Sequence, residues 1–254
     1  MGVKQIIKQL LLSAGYEVRK VSTEVGLDPF RDLQRLAGTG PKVIIDVGAN
    51  IGQSIWNFHH AFRQPTIHAF EPGVETFAKL QSLTSGLLGL HLNNYALGSE
   101  AGVMQFRANS RPEMSSLLEP SVDCWGRVEE RRDTVVKTLD EYCVEQNIPA
   151  IDILKSDTQG FDLEVIKGAR KLLSRRAIHL IYMEVILCDM YKGLPSVDEI
   201  YSFLTEQGFN LVSFYQFQYQ HPRAAWTDAL FANSGWSANR LVAGNMQPLN
   251  GSQH

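Results

Sequence analysis

KVIIDVGANIGQ, residues 42–53, decides the fold. Val43, Ile44 and Ile45 form a β-branched run of the kind that fills a strand buried on both faces. The run ends on Asp46. It then passes through Gly48, Ala49, Asn50 and Gly52 into a segment with helical spacing at Ile55, Phe58, His59 and Phe62. Strand, glycine turn and helix in this order open a nucleotide-cofactor site in an open α/β sheet.

Downstream, Thr66 to Phe70 (TIHAF) reads as a second strand ending in Glu71-Pro72, and residues 74–83 as a helix. Leu90 to Leu97 reads as a third strand closed by Gly98. This is a βαβαβ half with room only for short turns. Residues 99–137 interrupt the rhythm. Val103 to Arg107 alternates like a strand, 108–133 are polar and irregular, and Thr134 to Lys137 suits a partner strand. The expectation is a β-hairpin with a lid or substrate loop that carries Ser115 and Ser116. A helix over 138–146, a strand over 151–155, a helix over 161–173, a strand over 178–187 and a helix over 196–207 restore the α/β pattern. Strands at 210–217 and 228–233 follow with no helix between them, so the last must run antiparallel. The expected fold is therefore α/β and Rossmann-like, a mostly parallel seven-stranded sheet with one antiparallel strand.

Upstream, residues 3–14 place Val3, Ile6, Ile7, Leu10, Leu11 and Ala14 on one helical face. The plain expectation is packing on the main domain; the alternative is a partner or membrane-surface helix. Residues 28–37 read as a second helix, capped by Asp28 with Pro29 at its first position. The expected organisation is a helical extension over 1–40, a main domain over 41–235 with its insertion at 99–137, and a frayed tail over 236–254.

The 254 residues carry a net charge of -3, which argues against binding nucleic acid through phosphate neutralisation. Three widely spaced cysteines without a CxxC motif suggest neither a disulfide framework nor a zinc knuckle, and fit a reducing cytoplasm. No apolar run is long enough for stable membrane insertion, and no signal peptide is legible. Monomer and homodimer both stay open.

Two cofactor classes use such a strand, turn and helix. A dinucleotide enzyme wants GxGxxG, and Gly48 to Gly52 lacks the middle glycine. Asp46 at the strand tip would repel a pyrophosphate, whereas S-adenosylmethionine carries a sulfonium, an ammonium and ribose hydroxyls that tolerate a carboxylate. Asp46 therefore favours the methyl donor. Glu71 is suitably placed to hold both ribose hydroxyls, a role that dinucleotide sites share.

DVGANIGQS, HAFEP, NNYALGS, SSL, KTLDEYC, IDILKSDTQGFDLEVIKGA, MEV, GF and DALF occur in this order. With these motifs the chain resembles FkbM-type S-adenosylmethionine-dependent methyltransferases over roughly residues 20–235. The resemblance implies a class I methyltransferase fold and O-methylation of a small-molecule hydroxyl on a sugar, glycolipid or natural product. It also implies that Asp46, Gly48, Asn50 and Gly52 form the donor loop, that Glu71 holds the ribose, and that Asn94 and Ala96 lie beside the adenine. Gln159 and Asp162 stand where many members have glutamate, which argues against acid–base roles there.

Methyl transfer to an alcohol needs alignment, exclusion of water and removal of a proton. Asp157 is the first candidate for base or acceptor-orienting group and Glu184 the second, both at carboxyl ends of strands where open α/β sheets bind ligands. Alternative roles are an N-cap for Asp157, an ion pair for Glu184, or a shared divalent cation; no metal is expected. Lys155 is read as a pairing partner for a carboxylate. A donor-binding sensor or partner protein without catalysis is the competing function, and a nicotinamide dehydrogenase the third.

Overall fold

The computed structural model describes residues 3–16, 25–40, 42–220 and 222–235; the expected tail at 236–254 and parts of the N-terminal extension lie outside them. The main sheet holds β1 (Val43–Val47), β2 (Thr66–Phe70), β3 (Leu90–Asn93), β7 (Ile151–Ser156), β8 (Ile178–Ile186) and β11 (Arg223–Asn233), in the order β3-β2-β1-β7-β8-β11. All neighbours pair in parallel except β11, which runs against β8. The outer edge of β11 is divided. Ala229 to Asn233 pair with β9 (Phe209–Phe214), and Arg223 to Trp226 pair with β10 (Gln218–Gln220). The expected seven strands thus become eight, because β11 is eleven residues long and its edge outreaches one partner. One strand alone, β11, opposes the rest, so the architecture is the Rossmann-like fold expected from the sequence.

Side-chain alternation sends each strand to two cores. Ile44, Ile67, Ile153 and Leu180 face α2 (Pro29–Ala37), α3 (Gln53–Ala61) and α4 (Val74–Leu83) through Leu33, Phe58 and Leu80. Ile45, Val47, Leu154 and Ile181 face α5 (Leu139–Glu145), α6 (Asp162–Lys167), α7 (Arg170–Ser174) and α8 (Val197–Glu206) through Leu139, Ile166, Leu172 and Leu204. Asp28 caps α2, accepting from Phe30 N at 3.0 Å and Arg31 N at 3.2 Å.

Three local expectations change. The strand expected over 90–97 stops at Asn93, and Ala96–Leu97 become β4 of a small second sheet with β5 (Gly102–Asn109) and β6 (Val128–Lys137). Asn94 turns the chain there, its carboxamide donating to Glu71 O at 2.8 Å and Pro72 O at 3.3 Å. The helix expected over 161–173 breaks into α6 and α7 at Gly168, where an added Cβ would lie 2.1 Å from Gly98 O. Two backbones cross too closely for a continuous helix bearing side chains. The first helix, α1 (Val3–Ser13), leaves Ile6, Ile7, Leu10 and Leu12 open: Ile6 is 45% exposed and Leu10 64%. The plain expectation of a buried apolar face fails for that helix.

Candidate active site

The sheet changes direction of growth between β1 and β7, and the turns after these strands meet there. Asp157 N donates to Val47 O at 3.0 Å. Gly48 has φ +74°, and a Cβ on it would lie 1.8 Å from Asp157 O, so no other residue fits between the two turns. Register places Asp46 opposite Lys155, on the α3 side of the sheet. Lys155 Nζ lies 3.1 Å from Asp46 Oδ1, 3.7 Å from Asp157 and 3.0 Å from Gly48 O. Ser54 of α3 donates its hydroxyl to Asp46 Oδ2. Burial works against the Lys155 ammonium, but the neighbouring carboxylates hold it charged.

Two cavities adjoin at this switch point, sharing Gly48, Asn50, Glu113, Asp157 and Glu184. The first runs from Glu71 past Phe70, Ala96, Leu97 and Phe106, roofed by Ser115, Ser116 and Leu117. Glu71 is 7% exposed; its carboxylate accepts from Asn50 N at 3.0 Å and Gly73 N at 2.8 Å. Burial still outweighs those bonds and pushes its carboxyl up to about 7. A buried carboxylate so short of donors fits a ligand bearing paired hydroxyls, and the apolar walls beyond it fit a flat base. Glu71, Asn50, Gly48 and Ala96 thus suit the ribose and adenine of S-adenosylmethionine.

Three residues expected beside the donor lie behind the cavity instead of lining it. Asp46 is fully buried under Lys155 and Ser54, so its carboxylate cannot confront a ligand directly. Gly52 serves packing: with φ +100°, a Cβ there would meet Thr84 Cγ2 at 2.8 Å and Leu80 Cδ1 at 3.1 Å. Asn94 spends its carboxamide on the end of β2, as described above.

Asp157 and Glu184 are brought together. Gln159 Nε2 donates to Asp157 Oδ1 at 3.2 Å and to Glu184 Oε2 at 2.9 Å. The Asp157 side chain is 42% exposed, facing both cavities. It is not the cap of the following helix. Phe161 holds the cap position of that helix without a side-chain bond, and Asp162, the first helical residue, ties down the preceding turn by accepting from Thr158 N at 3.0 Å, Gly160 N at 3.2 Å and Ser156 Oγ at 2.5 Å. Burial raises the Asp162 carboxyl to about 6. Glu184 is pushed well above the ordinary carboxylate range by burial, then by Asp157, Asp162 and Asp228. Asp228 sits opposite Glu184 in the β8–β11 register and accepts from Tyr182 OH at 2.6 Å. Among the described residues no group of three or more His, Cys, Asp or Glu side chains is arranged to hold a metal ion.

The insertion at 99–137 is a long hairpin, β5 against β6, whose connection folds back over the cleft. Glu119 ties it down, receiving Arg107 Nε at 2.6 Å and Arg131 Nη2 at 2.6 Å; these bonds hold its carboxyl down to about 2. Ser115 Oγ accepts from Asn109 N at 3.0 Å, and Ser116 Oγ donates to Gln159 O at 2.8 Å. The two serines therefore shape the roof and bind it to the β7 turn. Tyr191, Trp226, Glu113 and Asp228 complete the surroundings and were not legible as site residues in the sequence. Asp228 alone had a signal, its place in the DALF segment opposite a strand bearing Glu184.

The chain is 24% identical over 251 residues to 2-O-methyltransferase NoeI of Sinorhizobium fredii, covering 92% of this chain and 99% of that one. It is 27% identical over 149 residues to hexuronic acid methyltransferase AglP of Haloferax volcanii, covering 56% and 55%. A solved rRNA methylase from Streptococcus thermophilus superposes with a TM-score of 0.47 at 11% identity, covering 85% of this chain and 99% of that one. The model of the methyltransferase FkbM domain matches residues 46–211. The chain belongs to the FkbM family of S-adenosylmethionine-dependent methyltransferases.

Proposed function

We propose that the protein methylates a hydroxyl of a small, sugar-like acceptor that carries no negative charge. The observation that carries this reading is the continuity of the cleft from Glu71, at the donor end, to Asp157 and Glu184, where the two cavities join. The name of one relative, a 2-O-methyltransferase, supports oxygen, and that of another, a hexuronic acid methyltransferase, supports a sugar-like acceptor; a hexuronic acid is anionic, so the absence of charge is argued from this chain's own lining alone. The lining supports the charge. Glu113, Asp157, Glu184 and Asp228 face the acceptor end, and Lys155 is already engaged by Asp46 and Asp157. An anionic acceptor would meet repulsion there, whereas a polyol finds hydrogen-bond acceptors. Trp226, which stands edge to face with Trp125 at 5.3 Å, offers an aromatic surface to a sugar ring.

When bound, the donor supplies an electrophilic methyl group on a sulfonium. Glu71 holds the ribose end, and Gly48 with Asn50 shapes the turn. Asp157 accepts a hydrogen bond from the attacking hydroxyl and orients it. Glu184, with its raised proton affinity, takes the proton, so activity rises with pH as Glu184 ionises. The roof at Ser115 to Leu117 excludes water.

No helix among the described residues is long and apolar enough to cross a membrane. The free thiols of Cys124, Cys143 and Cys188 support a cytoplasmic site of action. The test is incubation with methyl-labelled donor and a metabolite extract, followed by ion-exchange separation. Label in the neutral or cationic fraction is expected; label confined to the anionic fraction would refute the proposed acceptor charge.

A further inference from the structure

Gln159 joins the two candidate carboxylates to the roof of the cleft. It is buried, and its φ of +56° is costly for a residue with a Cβ. Its carboxamide nitrogen spans Asp157 and Glu184 at 3.2 and 2.9 Å. Its carboxamide oxygen accepts from Tyr191 OH at 3.0 Å, and its backbone oxygen accepts from Ser116 Oγ at 2.8 Å. Tyr191 is 1% exposed, and its hydroxyl also lies 3.0 Å from Met114 O in the 3-10 turn Pro112–Met114 of the roof.

A carboxamide has two N–H donors and one carbonyl. The nitrogen faces the two carboxyl groups and the oxygen faces the Tyr191 hydroxyl, whose single proton is shared between Gln159 Oε1 and Met114 O. The neutral donor pair favours the ionised form of both carboxyl groups where they face one point. Glutamate here would add a third charge; leucine would leave both carboxylates without that donor. The strained backbone has a matching reason, because it turns the side chain between Asp157 and Glu184.

We propose that Gln159 is a positioning residue for methyl transfer, aligning Asp157 and Glu184 on one acceptor hydroxyl, and that Tyr191 locks it there when the roof is seated. The carboxylate pair is then assembled only under a closed roof, since Ser116, Met114 and Tyr191 hold Gln159 from that side. This inference rests on the methyltransferase reading of the cleft.

The test titrates side-chain carboxyl carbons by NMR in full-length protein labelled at Asp and Glu, with Glu184 assigned through Glu184→Gln. The charged groups that set its midpoint are Asp157, Asp162, Asp228 and Lys155. Gln159→Leu and the near-isosteric Gln159→Glu should each raise the Glu184 midpoint by at least about one pH unit, tenfold in proton affinity, with the larger rise in Gln159→Glu. Tyr191→Phe should speed amide exchange across residues 113–117 by about tenfold or more. Unmoved Glu184 midpoints in both Gln159 variants overturn the positioning role, and unchanged exchange in Tyr191→Phe overturns the lock. Calorimetry of wild-type protein with S-adenosylhomocysteine separates the parent reading: absence of binding removes that reading, whatever the titrations show.

Discussion

Donor affinity should depend on pH through Glu71. Its carboxyl titrates at about 7 in the folded protein, up from 4.5, because burial outweighs the hydrogen bonds from Gly73 and Asn50. Ribose hydroxyls donate to the ionised form, so protonated Glu71 must lose its proton before the ligand binds. Each pH unit below about 7 then weakens binding up to tenfold. At about pH 5.5 roughly 3% of the carboxyl is ionised, and affinity for S-adenosylhomocysteine falls roughly 30-fold, about 2 kcal/mol, relative to about pH 8. Calorimetry on wild type and Glu71→Gln, with the same ligand at each pH, cancels the ligand's own titration. Glu71→Gln should bind more weakly near neutrality and lack the extra slope. Equal pH slopes in the two proteins would refute the reasoning. The shift also acts on folding, with a definite sign. The folded carboxyl binds its proton more tightly than the unfolded one, so that stabilisation is complete below 4.5 and fades as pH rises through about 7. Without ligand, wild type should therefore gain stability relative to Glu71→Gln as pH falls from about 8 to about 5, read as the change in the difference of their melting temperatures.

Asp157→Asn should leave S-adenosylhomocysteine affinity within about threefold of wild type while lowering methyl transfer at least about a hundredfold, measured as S-adenosylhomocysteine released; full turnover would remove Asp157 from the chemistry. Lys155→Met should cost about 3–5 kcal/mol in urea denaturation by stranding the buried Asp46 carboxylate. The double variant Lys155→Met with Asp46→Asn should recover a large part of that loss, and additive losses would show that the pair is not coupled. Activity should survive EDTA; loss on chelation with rescue by magnesium would show that Asp157 and Glu184 hold a metal.

Much of this fold is legible because its strands are buried on both faces. Runs such as Val43 to Ile45 and Ile153 to Leu154 must be apolar whatever surrounds them, and the turn residues after them are constrained by backbone contact. The Asp28 cap is legible for the same local reason. The Gly168 break is not, because its cause is Gly98, seventy residues away in sequence. The same limit governs the site. Glu71 and Asp157 directly follow strands and Glu184 lies just past the last β7–β8 pair though still within β8, so all three can be read from the run that precedes them. Asp46 shares that signal, yet register puts Lys155 opposite it and Ser54 above it, and both contacts are long-range or across a turn. Gln159 carries no acid–base signal in the sequence; its part comes from its donors, which only the arrangement of Asp157, Glu184 and Tyr191 reveals. Asp228 depends on the β8–β11 register in the same way.

The most direct test of the central claim is the fate of the donor's methyl carbon. Protein incubated with S-adenosylmethionine labelled with carbon-13 at the methyl group and a metabolite extract should yield a product whose labelled methyl shows a carbon–proton correlation to a methyl ether, formed with an equal amount of S-adenosylhomocysteine. A methyl on nitrogen, or label that stays on the donor while the donor demonstrably binds, would contradict hydroxyl methylation, and the second result would make the protein a donor-binding partner without catalysis.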